Sequence, residues 1–369
     1  MSRLLWGSPL RCLLFITVVL LGFSFCPAFL EPNPKWPPPE YDQKIADPWL
    51  DMNTVPLNED TESHSAKLTP RIFVPLVCHL LGLDAVGAVA LASLANIGTL
   101  WLIWWFCRQR GGLDLATSAL SVAAAGSIYA GCMGFLDMRS YPFDGVAVFL
   151  LTLAAVCLGR HYWALGIAFF LALWTDERAL LTLPVYAVLL DPGRRAASPG
   201  RYLWSAISLG VAVAGYAILR LILTLSLGWT QNFDQVGIGT MIHNLNLIPL
   251  GVALLFEGWW ILIVPALYRA IWVRRHPVTI LATLGVTLSL AASFMVLDIS
   301  RSTAFLFPLI LIGIRDLADL DEAARMRLML GVLAACIATG TYTLIGAFYT
   351  ILRLPFSLEW ALYVLKPAG

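Results

Sequence analysis

From residue 85 to residue 107 the chain runs without a single charged side chain and then meets Arg108 and Arg110. A run of that length crosses a hydrocarbon core of roughly 30 Å as a helix, because a helix satisfies its own backbone hydrogen bonds where there is no water. Comparable apolar runs recur over residues 115–136, 202–227, 247–268, 278–297 and 328–352. Charged residues make up 13% of the chain and hydrophobic ones 59%, whereas a soluble domain carries about 25% charged residues. The expectation is an integral membrane protein. With 24 Lys and Arg set against 23 Asp and Glu, there is no concentrated basic face of the kind a nucleic-acid partner requires.

Taken in order, Arg3 and Arg11 flank an apolar run over 12–30, read as a retained first helix with the N-terminus in the cytoplasm. Residues 31–70 are rich in proline and acids, as an external loop would be. Residues 71–82 carry Arg71 and Pro75, are too short to span, and are expected along the outer interface. Shorter apolar pieces at 145–159, 162–174, 179–190 and 302–314 suit tilted or broken helices buried among neighbours. Alternating these segments gives about eleven spans, with an excess of Lys and Arg on the inner loops, in keeping with the positive-inside rule. The expected architecture is all-α and polytopic, one transmembrane domain over 1–369, with an acidic external loop and interfacial helix inserted at 31–84.

Trp174-Thr175-Asp176-Glu177-Arg178 is the chemically distinctive stretch, because three consecutive ionisable residues sit between strongly apolar runs. A charge at bilayer depth costs several kcal/mol unless it is paired or faces a polar cavity. The expected topology brings three further groups to the same outer edge: Arg71 with the acidic loop, then Asp137, Arg139 and Asp144, then Asp298 and Arg301. Both signs converging on one face fit a site that holds an anionic headgroup and supplies a base, since arginine forks onto phosphate and a carboxylate accepts a proton or binds a divalent cation. Plainer roles stand beside this one: a helix cap for Thr175-Asp176-Glu177, a charged turn around Tyr141-Pro142, and a local pair between Asp298 and Arg301.

Arg220 and Glu257 flank one outer loop at similar depths, roughly 12–15 Å at 1.5 Å per residue, and are expected to pair as structure or cavity lining. The five histidines show no metal spacing, and the seven scattered cysteines read as small buried hydrophobes. No phosphate-binding glycine loop or serine-hydrolase motif is present.

Arg71-Ile-Phe-Val-Pro-Leu, Tyr141-Pro-Phe-Asp144-Gly145, Thr175-Asp-Glu-Arg178-Ala-Leu-Leu-Thr-Leu-Pro184 and Arg301 followed by Pro308 together resemble the GT-C class of polytopic glycosyltransferases and their uncharacterised bacterial relatives. The resemblance implies transfer of a sugar, with inversion, from a polyprenyl-phosphate carrier at the outer face of the bacterial inner membrane. It implies a first-loop carboxylate as base, Asp47 or Asp42 ahead of Glu31 and Asp51. Arg71, Arg139, Arg178 and Arg301 would hold the carrier phosphate. Asp144, Asp176 and Glu177 would orient the acceptor, the arginines or a divalent cation. Membrane lipids and the lipid-linked sugar are the implied partners. The first loop lacks the adjacent acidic pair that many members carry, so a second expectation stays open: a non-catalytic transporter of a lipid-linked or anionic solute, or a scaffold subunit of an envelope complex.

Overall fold

The structure, a computed structural model, describes residues 11, 14–18, 39–53, 68–136, 143–190, 199–229, 237–296, 298–339, 341–345 and 349–353. It is a helical assembly. Most of the expected first span over 12–30 lies outside the described residues, as do Glu31, Asp137 and Arg139.

Short helix α1 (Pro39–Ala46) is followed by α2 (Phe73–Leu81), which closes on the left-handed Gly82. Asp84 caps α3 (Ala85–Gln109) by accepting from the Gly87 amide at 2.8 Å, and Asp114 caps α4 (Leu115–Gly126) in the same way from Thr117. Each carboxylate satisfies an amide that the first helical turn leaves open. Then come α5 (Tyr129–Leu136), α6 (Phe143–Cys157) and α7 (Tyr162–Thr175). A 3-10 turn, Glu177–Thr182, leads into α8 (Leu183–Leu190). The second half holds α9 (Pro199–Leu227), α10 (Ile238–His243), α11 (Ile248–Phe256), α12 (Trp260–Tyr268), α13 (Pro277–Ser293), α14 (Ile299–Ala304), α15 (Ile310–Leu317) and α16 (Glu322–Thr339).

Among the described residues three helical stretches are long and apolar enough to cross a membrane: Ala85–Gln109, Gly200–Leu227 and Leu245–Arg274. Four shorter apolar helices, Leu115–Gly126, Phe143–Cys157, Tyr162–Thr175 and Pro277–Ser293, pack among them. Helix α6 lies between α3 and α7, and α7 in turn lies against α9. One side of α9 carries exposed Leu203, Val211, Ile218, Leu221 and Leu225, a continuous apolar surface.

The chain departs from the expected spans in three places. The run over 115–136 forms two helices, because α4 stops at Ser127 and α5 folds back so closely that a Cβ on Gly131 would lie 1.7 Å from the Ala125 carbonyl oxygen. The run over 247–268 is interrupted at Glu257, which adopts φ 46° between α11 and α12. The run over 328–352 is not one helix: α16 ends at Thr339, and β1 (Thr341–Ile345) pairs antiparallel with β2 (Tyr349–Arg353), Thr341 opposite Arg353. The hairpin's first strand lies against α14, α11 and α5.

Candidate functional site

Four of the expected segments do meet. Arg71 enters from the residue pair that precedes α2, Asp144 from the first turn of α6, Asp176 to Arg178 from the break between α7 and the 3-10 turn, and Asp298 to Ser302 from the start of α14. The centre is Asp176. Its carboxylate caps the 3-10 turn by accepting from the Arg178 amide at 2.9 Å, and it also takes Nε of Arg178 at 2.9 Å and Nη2 at 2.7 Å. Arg71 Nη1 lies 2.7 Å from the same carboxylate, and Arg71 Nη2 reaches Glu177 at 3.4 Å.

Arg178 links this cluster to its neighbours. Its Nη2 donates to Asp144 at 3.0 Å and its Nη1 to the Ser302 hydroxyl at 3.2 Å, while the guanidinium stacks 4.8 Å from the Phe305 ring centre. Arg301 pairs through Nε with the other oxygen of Asp144 and through Nη1 with Asp298 at 3.0 Å. The cap at Asp176 and the local pair of Asp298 with Arg301 are therefore present, and both are parts of one ion network with Asp144; the turn around Tyr141-Pro142 lies outside the described residues. Asp144 and Asp176 are wholly buried, as are Arg71 and Arg301 to within a few per cent. Glu177, 32% exposed, and Asp298 form its wetter rim.

The electrostatics follow from the packing. Burial by itself would raise the Asp176 carboxyl, but Arg178 and Arg71 outweigh it and hold that carboxyl far below the usual range. Burial likewise opposes the charge on Arg71 and Arg178, and the neighbouring carboxylates more than restore it. Three arginines face four carboxylates here, so the network is close to self-neutralising, as buried charges must be.

The network opens on one side into a cavity of about 230 Å³. Glu177, Arg178, Ser293 and Ser302 line it together with Leu180, Leu181, Ala292 and Val296, and its surface is mostly apolar; the Ser293 hydroxyl donates to the Ser289 carbonyl. Ligand pockets usually run from about 300 Å³ upward, so this one is small. One carboxylate oxygen of Glu177, Oε2, is buried without a hydrogen-bond partner.

The first-loop acids are held differently. Asp42, on α1, accepts from the Ala85 amide at 3.2 Å and so helps seat the start of α3. Asp47 accepts from the Trp49 amide at 3.0 Å, and Asp51 holds Asn53 and the Thr69 hydroxyl. Asp42 and Asp47 lie on the exposed surface. The loop nonetheless packs over the site end of the bundle: Tyr41 meets Phe143, the neighbour of Asp144, edge-on at 5.5 Å. Lys44, with no exposed surface, donates to the Leu50 and Thr69 carbonyls at 3.0 and 2.9 Å, and burial pulls it down to about 8 against the partial support of Asp47 and Asp51. Trp229, at the end of α9, donates to the Trp49 carbonyl at 3.1 Å and fixes the loop from the other side.

Arg220 and Glu257 do not pair. Arg220 turns back one helical turn, donates to the Tyr216 hydroxyl at 2.6 Å, and stacks on that ring. Glu257 sits where its helix breaks, in a 3-10 turn packed against α16, and neither of its carboxylate oxygens has a hydrogen-bond partner. Equal depth beside one loop said nothing of rotation around the helix axis. Lys44, Ser293 and Ser302 were missed by sequence reasoning. A lone lysine in an acidic loop and serines in apolar runs look ordinary until the fold closes around them. Among the described residues no cluster of metal ligands forms, and the five described cysteines are buried thiols.

No known protein family, curated protein or solved structure matches this chain.

Proposed function

We propose that this chain is a GT-C-like membrane protein that receives a polyprenyl-phosphate-linked sugar at the outer face of a bacterial inner membrane and transfers that sugar with inversion. The observation that carries the reading is the cavity beside Arg178. It is lined by Arg178, Glu177, Ser293 and Ser302 together with Leu180, Leu181, Ala292 and Val296, and most of the surface it presents is apolar. That combination suits a phosphate, sugar hydroxyls and the start of an apolar chain at one place. Arg178 is held in position by Asp176 and Asp144, so it meets a ligand without reorganising.

In the transfer itself, the acceptor hydroxyl gives its proton to a carboxylate as its oxygen bonds to the anomeric carbon, and the carrier phosphate leaves with the electron pair of the broken bond. Glu177 is the carboxylate that lines the cavity. Asp42 and Asp47, the bases the resemblance implies, would have to release the amides of Ala85 and Trp49 and turn inward.

That last point favours a second reading, a non-catalytic protein that binds or moves the lipid-linked solute, with the ion network as a structural lock. Proteoliposomes loaded with a polyprenyl-phosphate-linked sugar and an envelope acceptor separate the two. The transferase reading expects release of polyprenyl phosphate that stops in Ser293→Trp, which fills the cavity. Carrier binding without release supports the second reading, and neither binding nor release removes both.

A further inference from the structure

The stretch Leu245–Arg274 is long and apolar enough to span, yet it is not one helix. It breaks at Glu257, whose φ of 46° is a left-handed conformation that side chains other than glycine rarely take. The residue lies twelve positions from Leu245, so at 1.5 Å per residue the acid is roughly 18 Å along the span from that end. Both carboxylate oxygens are buried and have no hydrogen-bond partner. Backbone strain and an unpaired buried acid coincide at one residue, and strain of that kind persists only where the surroundings enforce it.

The surroundings are tight on the α16 side. A Cβ on Gly258 would fall 2.2 Å from the Val332 carbonyl oxygen, so the break is pressed against α16. From that helix Cys336 comes alongside, its backbone nitrogen 3.0 Å from where a Cβ on Gly258 would lie, while the charged residues of α16, Glu322, Arg325 and Arg327, sit toward its other end. Helix α11 brings no charged residue, and α12 brings Tyr268 only at its far end. Among the described residues no cation pairs with Glu257, and an isolated carboxylate buried in an apolar interior is far too costly to keep its charge. A metal ion would need several oxygen ligands around it, and among the described residues no such group exists.

We propose that Glu257 is a proton-binding site inside the membrane, where the acid is carried neutral and exchanges its proton with water when the helix break opens. The site is separate from the Arg178 cavity and does not depend on whether that cavity transfers a sugar. Infrared spectroscopy of the full-length protein in lipid, comparing wild type with Glu257→Gln, reads it directly. At neutral pH the wild type is expected to show a protonated-carboxyl band that Glu257→Gln lacks, and that band is expected to shift on transfer to D2O. Glu257→Asp keeps the acid, so a displaced band there identifies the residue even if the glutamine variant does not fold. Identical carboxyl regions in wild type and both variants would overturn the assignment, and a band indifferent to D2O would overturn the exchange.

Discussion

Arg71 and Asp176, more than a hundred residues apart, form an ion pair of 2.7 Å in which the two side chains are 4% and 0% exposed. The pair ties the start of α2 to the break after α7. It holds the interfacial segment onto the bundle and sets the floor of the Arg178 cluster. Breaking it from one side leaves the other charge buried and uncompensated, at a cost of about 3–5 kcal/mol. Arg71→Ala and Asp176→Asn should each lower the melting temperature in detergent by an amount in that class. A double-mutant cycle should show strong coupling, and additive losses would mean the pair is not a unit.

The pH dependence of Asp176 has a definite sign. Its folded carboxyl lies below its unfolded value, because Arg178 and Arg71 outweigh burial. The stabilisation is therefore complete above the ordinary carboxylate range, about pH 4, and is lost only as pH falls below it. Melting curves from pH 7 down to pH 3 should show a late acid loss in the wild type, and that component should be absent in Asp176→Asn. A loss centred well above pH 4 that disappears in the variant would contradict the assignment.

Gly258 has room for no side chain. Its hypothetical Cβ would meet the Val332 carbonyl at 2.2 Å and Ala335 at 2.9 Å. Gly258→Ala should push α16 off the helix break and destabilise by about 1–3 kcal/mol, the usual range for overpacking. Thermal unfolding checks the magnitude. Faster backbone exchange around 329–336 than in the wild type would place the damage where the contact is.

Trp229 holds the first loop from α9 through one hydrogen bond, to the Trp49 carbonyl. Trp229→Phe removes the donor and keeps most of the ring, so a loss of about 0.5–1.5 kcal/mol is expected, confined to the loop. Hydrogen exchange over 39–53 should rise while the spans stay protected. Unchanged exchange there would show that Lys44 and its two carbonyl contacts hold the loop without the tryptophan.

How much of this could be read beforehand differs between site and scaffold. Asp176, Glu177 and Arg178 stood out because charge inside apolar sequence must be neutralised, and Arg71, Asp144 and Arg301, each at the edge of an apolar run, were expected beside them and do meet them. The helix breaks were hidden. At 115–136 and 247–268 the apolar run is continuous, and hydropathy does not register that Gly131 must nest against a carbonyl or that Glu257 takes a left-handed turn. The expected pairing of Arg220 with Glu257 failed on the same ground, since depth along a helix axis carries no information about the direction a side chain leaves it. The strand pair 341–345 and 349–353 was lost inside an apolar run, because hydropathy does not show that its first strand packs against α14, α11 and α5.

The most direct test of the central claim, an outer-face cavity for a polyprenyl-phosphate headgroup beside Arg178, is native mass spectrometry of the purified protein with polyprenyl phosphate. Wild type, Ser293→Trp and Arg178→Lys would be compared at matched lipid concentrations. The wild type should retain the lipid, and both variants should bind it about tenfold or more weakly, equivalent to at least about 1.4 kcal/mol. Equal retention by all three proteins would contradict the account, and the arginine cluster would then be a structural lock alone.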